Sequence, residues 1–264
     1  FRFLQTLYNL GPAPEPNMTV LWHPALPEGF KEFCAKVSID TSSVQYENDS
    51  LMRKVRGCDD YGIACCVSYQ AIGKSIQFFG ARANLAKALL LALNGGRCEN
   101  TGTLMVEGIS PLSSDVLDFD EVMANYKKVL HEVARVYNDT MNIIHFMHDK
   151  YDYERSQMAF IDTNPSINLA YGVAGLSIVA DSLSAIKFAK VTARRNADGL
   201  TEGFDIEGTF PMFGNDDDNV DVLARDVVQF FNTELCARKV YKDAMPTLSL
   251  LTITSNVMYG KKTG

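Results

Sequence analysis

The sequence predicts an α/β protein, and three observations carry that prediction. Two long stretches, Phe119 to Tyr151 and Val220 to Lys242, repeat apolar residues at the three-and-four spacing of one buried helix face. Short β-favouring apolar runs separate the helical stretches, among them Thr19 to Trp22 and Tyr61 to Gln70. No internal repeat, low-complexity tract or linker divides the chain, so its 264 residues, 47 % of them apolar, read as one piece able to bury a sizeable core.

Taken in order, Gly11 to Asn17 carries three prolines and reads as loop or extended chain. Thr19 to Trp22 is a short strand. Lys31 to Asp49 is weakly patterned, and its polar part from Asp40 to Asn48 reads as loop. Tyr61 to Gln70 is a buried strand or the tip of a buried hairpin. Arg82 to Gly96 is a helix, given propensity by Ala and Leu and stopped by Gly95 and Gly96. Arg97 to Ser114 is loop-like. The Phe119 helix is capped by Asp118 or Asp120. Ala170 to Lys190 is rich in small residues, which suggests closely packed backbone and a helix ending near Lys187. Lys190 to Gly208 reads as a hairpin turning at Asp198-Gly199. Thr247 to Gly260 closes as a buried strand.

The net charge of −7 argues against a nucleic-acid partner, which needs a basic face. No run of about 18 uninterrupted apolar residues offers a membrane span. The six cysteines include no C-x-x-C, and in a chain this long with no secretory signal reduced thiols in a reducing compartment are expected. The opening FRFLQTLYNL has neither an initiator Met nor the pattern of a signal peptide, and reads as the middle of a longer protein.

The unusual feature is the adjacent pair Cys65-Cys66 in an apolar stretch. Three readings stand side by side. Both thiols are small hydrophobes in a core strand, or they close a strained vicinal disulfide, or they are a nucleophile pair addressing two reactants from a hairpin tip. Arg82, after two aromatics and Gly80, suits a carboxylate, which a guanidinium fork holds by both oxygens, or it is a salt-bridged helix residue. His145 and His148 have i, i+3 spacing but no further ligand nearby, and read as polar positions on a fraying helix. Gly214 to Asn219 looks briefly like a calcium loop but lacks the required Gly and Glu offsets, so it reads as a cap for the next helix. No metal site is expected.

Six segments together resemble the pyruvate formate-lyases (formate C-acetyltransferases) of the glycyl radical enzyme family: GPAPEPNMTVLW, KVSIDTSSVQYEND, DDYGIACCVS, FFGARANLAKALL, MHDKYDYE and SLLTITSNVMYGKKTG. Dehydratase and choline-lyase members carry one thiyl cysteine with a glutamate two positions on. Here Cys66 is a second thiol and Ser68 is not a carboxylate, which favours the formate-lyase branch.

The resemblance implies part of a ten-stranded α/β barrel of two parallel half-sheets, with a central cysteine finger hairpin. It implies that Cys66 relays the radical, that Cys65 attacks pyruvate and carries acetyl, that Arg82 holds the pyruvate carboxylate and that Phe79 walls the pocket. Pyruvate and coenzyme A are the implied substrates, and formate and acetyl-CoA the products, in anaerobic glucose metabolism. A radical S-adenosylmethionine activating enzyme and a homodimer are the implied partners, and the cytoplasm, or an organelle in a eukaryote, the compartment. The family motif R-V-S-G-Y is absent from these residues. The chain is therefore expected to be a central segment, 1–264, holding no cofactor and inactive alone, with the protein glycyl radical in a missing C-terminal part. A 2-oxobutyrate formate-lyase shares the same motifs. A non-catalytic thiol redox or structural module is the reading from another class.

Overall fold

A computed structural model describes residues 1–12, 16–41, 43–64, 68–151 and 161–250. The N-terminal part runs α1 (Arg2–Leu10), β1 (Met18–Trp22), α2 (Glu28–Thr41), β2 (Val44–Asn48) and α3 (Asp49–Arg56). Leu4, Leu7, Val20, Cys34 and Val37 form its own small core. β1 and β2 pair in parallel. The expectation of loop over Asp40 to Asn48 is thus wrong. The residue that β2 buries is Gln45, whose amide donates to Thr19 Oγ1 on the paired strand at 2.7 Å. A polar residue on the buried face erases the hydropathy alternation that marks a strand. Asn48 then caps α3 by accepting from the Leu51 amide, and Gly57, at φ 61°, ends it.

β3 (Tyr61–Ala64) and β4 (Ser68–Ala71) form an antiparallel hairpin whose last described pair is Ala64 with Ser68. β5 (Ser75–Phe78) and β6 (Ala83–Asn84) both lie parallel to β7 (Ser166–Ala174), and β10 (Met245–Ser249) flanks β7 on its other side. One face of this sheet is covered by α4 (Leu85–Leu93), α5 (Phe119–Lys150), α6 (Leu176–Phe188) and α7 (Asp218–Cys236). The main core joins Leu169, Tyr171 and Val173 of β7 to Leu89, Tyr126, Leu130, Leu183 and Phe231 of the helices. β8 (Lys190–Arg195) and β9 (Thr201–Glu207) form the expected second hairpin.

Asp118 is the α5 cap and Asp217 the α7 cap, which settles Gly214 to Asn219 as a capping loop. Gly95 and Gly96 do end α4. A Cβ on Gly96 would stand 1.9 Å from the Val106 carbonyl oxygen, so only glycine lets the following loop fold back. The second long helix is shorter than expected: α7 stops at Cys236, not Lys242. The Lys239 carbonyl is taken by the side-chain amides of Asn138 and Asn142, each at 3.0 Å, which pulls the chain out of the helix towards β10. Residues 251–260 of the expected closing strand lie outside the described residues.

Candidate functional site

The hairpin β3–β4 is fixed at its foot. Tyr61 stacks on Tyr69 at 5.2 Å, and the Arg56 guanidinium lies over the Tyr69 ring. The Tyr61 hydroxyl donates to Asp49 at 2.8 Å, and Arg53 Nε donates to both oxygens of the same carboxylate. Burial works against ionisation of Asp49, but the hydrogen bonds from Tyr61 and Arg53 outweigh it and hold the carboxyl below its ordinary range. Burial, then the bond to Asp49, pushes the Tyr61 phenol upward. Burial also raises Tyr69, to about 12. At the other strand, Gln70 donates to the Ser75 carbonyl at 3.0 Å and the Ala71 amide to Ser75 Oγ at 2.7 Å, which locks the hairpin to β5. Cys65 and Cys66 lie in the connection and outside the described residues. Gly62, Ile63 and Ser68 to Ala71 are half-buried and Tyr61 is buried, so the hairpin is less enclosed than the buried strand or hairpin tip expected from the sequence.

After β5 the chain leaves the sheet over residues 79–82 and returns as β6. Gly80 makes this possible, because a Cβ there would lie 1.7 Å from the Ala170 carbonyl oxygen. The Tyr137 hydroxyl, projecting from α5, bolts the segment down. It accepts from the Ala81 amide at 2.9 Å and the Gly172 amide at 3.1 Å, and it donates to the Ala81 carbonyl. His145 Nε2 donates to the Phe79 carbonyl at 2.9 Å, and the imidazole stacks on Phe78 at 4.4 Å. His145 is buried, so it is not the fraying surface position its spacing suggested; His148 is exposed. Among the described residues no three His, Cys, Asp or Glu side chains gather as a metal site.

Arg82 is half-buried and its stem crosses Gly172: a Cβ on that glycine would come within 2.6 Å of Arg82 Cδ. Its Nη1 donates to the Ala81 carbonyl at 3.1 Å. It makes no salt bridge to the described residues. The Phe79 ring is exposed. The fold thus brings Phe79 and Arg82 together on one short segment tied to β7. Sequence reasoning missed the residues that tie it. Tyr137 carries only the signal of a tyrosine on the apolar face of a helix. Gly172 carries only that of a small residue within a strand.

The fold is that of the glycyl radical enzymes. The B12-independent glycerol dehydratase of Clostridium butyricum, in its glycerol-bound form, has a TM-score of 0.68 at 22 % identity, covering 95 % of this chain and 36 % of that one. Hydroxyproline dehydratase of Clostridioides difficile has 0.73 at 17 %, covering 99 % and 37 %. A glycyl radical enzyme of Archaeoglobus fulgidus has 0.70 at 18 %, covering 97 % and 37 %. The chain belongs to the pyruvate formate lyase-like family, whose model matches residues 1–260. It is 56 % identical over 264 residues to formate acetyltransferase 1 of Escherichia coli (strain K12), covering 100 % of this chain and 35 % of that protein. It therefore spans about a third of the length of that curated relative. No described helix is long and apolar enough to cross a membrane.

Proposed function

We propose that the complete protein carrying this chain transfers acetyl from pyruvate to coenzyme A and releases formate, and that residues 1–264 are a central segment of its catalytic barrel. The observation that carries this reading is the 56 % identity, over the whole chain, to a formate acetyltransferase. The adjacent thiols support it, since they stand in the three-residue connection between Ala64 and Ser68 of the hairpin.

A protein glycyl radical elsewhere in the complete protein supplies the unpaired electron. Cys66 relays it to Cys65 over the short, fixed distance that adjacency provides. Cys65 forms the bond to the pyruvate carbonyl carbon, the bond to the carboxylate carbon breaks, and acetyl remains on Cys65 as a thioester. The carboxylate fragment departs as a carbon dioxide radical anion, takes a hydrogen atom from the Cys66 thiol to become formate and returns the spin to Cys66. The coenzyme A thiol then takes the acetyl group, and its proton restores the Cys65 thiol. Arg82 grips the substrate carboxylate, and Phe79 closes the pocket with the rest of the barrel. Activation by a radical S-adenosylmethionine enzyme, a homodimeric assembly and a cytoplasmic location belong to the same reading.

The test is formate release by the complete, activated protein under anoxia. Cys65→Ser and Cys66→Ser each abolish it. Full turnover in either variant overturns the assignment. Turnover of 2-oxobutyrate, compared with pyruvate, fixes the oxo acid.

A further inference from the structure

The sheet has a second face, turned away from the helices. On β7, Leu169, Tyr171 and Val173 pack into the main core, so Asn168, Ala170 and Gly172 point the other way. On β10, Leu248 packs against the core, so Thr247 and Ser249 lie on the same far face. The parallel register puts Thr247 beside Ala170 and Ser249 beside Gly172. Gly172 is the glycine that the Arg82 stem crosses. The Ser249 backbone thus lies one strand spacing, ~4.8 Å, from that of Gly172, across which the Arg82 stem runs.

Two buried polar atoms of this face lack partners among the described residues. Arg82 Nε and Ser249 Oγ are both shut off from solvent, and neither has a hydrogen-bond partner among the described residues. Buried polar groups are as a rule paired, because an unmade bond carries the full cost of desolvation. A guanidinium Nε–H can only donate, and a serine hydroxyl can donate. One anionic oxygen set between them satisfies both. Ala170 and Gly172 add no more than a methyl group to this face, and the Arg82 stem takes the space over Gly172. Further down the same face the orphaned atoms change character: Gln77 Oε1 and Asn168 Oδ1, on register partners of β5 and β7, are acceptors. The donors therefore gather at the Arg82 end.

We propose that Ser249 is a second substrate-holding residue, whose hydroxyl donates to the oxo-acid carboxylate gripped by Arg82 above Gly172. This rests on the reading of Arg82 as the carboxylate clamp. Together the two side chains select a small planar anion.

The experiment uses the complete protein with Ser249→Ala, Ser249→Thr and Arg82→Lys, compared in two assays. The first is steady-state turnover, with the glycyl radical content of each variant measured by electron paramagnetic resonance. The second is calorimetric binding of oxamate, an unreactive pyruvate isostere, to protein that has not been activated. It keeps the test valid for a variant that accepts no radical. Ser249→Ala is expected to raise the pyruvate KM and the oxamate Kd at least about tenfold, the loss of one hydrogen bond to a charged group. The coenzyme A KM should stay within about twofold, and Ser249→Thr, which keeps the hydroxyl, should restore oxamate binding to within about threefold. If Ser249→Ala binds oxamate as wild type does while Arg82→Lys binds it weakly, Ser249 is structural and this inference falls alone. If both variants bind oxamate normally, the Arg82 clamp falls and takes this inference with it.

Discussion

At the scale of single residues, two glycines separate stability from substrate binding. Gly80→Ala sets a methyl carbon 1.7 Å from the backbone oxygen of Ala170, which cannot move without displacing β7. We expect a loss of about 3 kcal/mol or more in unfolding free energy, read by denaturant titration. Gly172→Ala meets only the Arg82 side chain, at 2.6 Å from Cδ, and a flexible side chain can swing aside. Its stability should change by less than about 1 kcal/mol, while, on the proposed role of Arg82, the pyruvate KM of the complete protein should rise because the guanidinium is displaced. A normal KM with a large stability loss would contradict this. Thiol chemistry supplies a second residue-scale prediction. The Thr101 hydroxyl, then backbone and Lys87 contacts, bring Cys98 down to about 7, whereas burial raises Cys34. Cys98 should alkylate faster than Cys34 at neutral pH, at a rate that rises with pH and levels off above about 8, as mass spectrometry of iodoacetamide-treated protein would record. None of these differences is visible in a string of letters. Gly80 and Gly172 are the same residue there, and only the backbone or side chain opposite each one distinguishes them.

At the scale of elements, the hairpin that bears Cys65 and Cys66 is held by Asp49, at the start of a different element. Asp49→Asn removes the carboxylate that Tyr61 and Arg53 share, and should cost about 1–3 kcal/mol at pH 7. Its depressed folded-state pKa fixes the sign with pH. The stabilisation is fully present above the unfolded carboxyl value, about 3.9, and disappears as pH falls through the folded value. Wild type and Asp49→Asn should therefore converge in stability only as pH falls below the ordinary carboxyl range, and a constant gap between them down to acid unfolding would refute the linkage. The helices were legible as periodicity: α5 and the start of α7 fall where the three-and-four spacing put them. Their ends were less so. Nothing between Cys236 and Lys242 breaks a helix by composition, and α7 stops because two asparagines on α5 capture the Lys239 carbonyl.

At the scale of the whole molecule, the sheet and α5 carry surfaces that the described chain does not cover. Ile143, Phe146 and Val136 of α5 are 64 %, 53 % and 48 % exposed. β10 pairs only with β7 among the described strands, so its other edge has no ladder partner among the described residues. Residues 1–264 expressed alone should associate at micromolar concentration in sedimentation velocity runs. They should also release no formate with activating enzyme, pyruvate and coenzyme A. A compact, soluble monomer would contradict the open-barrel architecture, and any turnover would contradict storage of the radical outside these residues.

The sequence by itself determined the α/β class, the principal helices, the hairpin of Lys190 to Gly208 and the family, because periodicity, turn residues and the CC and GARAN motifs are local; for Tyr61 to Gln70 it left a strand and a hairpin tip side by side. It also determined which side chains are candidates for chemistry. Tertiary structure alone decided how they are held. It buried His145 against Phe79 instead of leaving it on a frayed surface, made a strand of Val44 to Asn48 by burying Gln45 against Thr19, and set Ser249 beside Gly172. The physical reason is the same in each case. A hydrogen bond or strand register joins residues 26 to 77 positions apart in the chain, as with Gln45 and Thr19 or Gly172 and Ser249, and no local pattern in the sequence encodes which distant backbone or hydroxyl will be opposite.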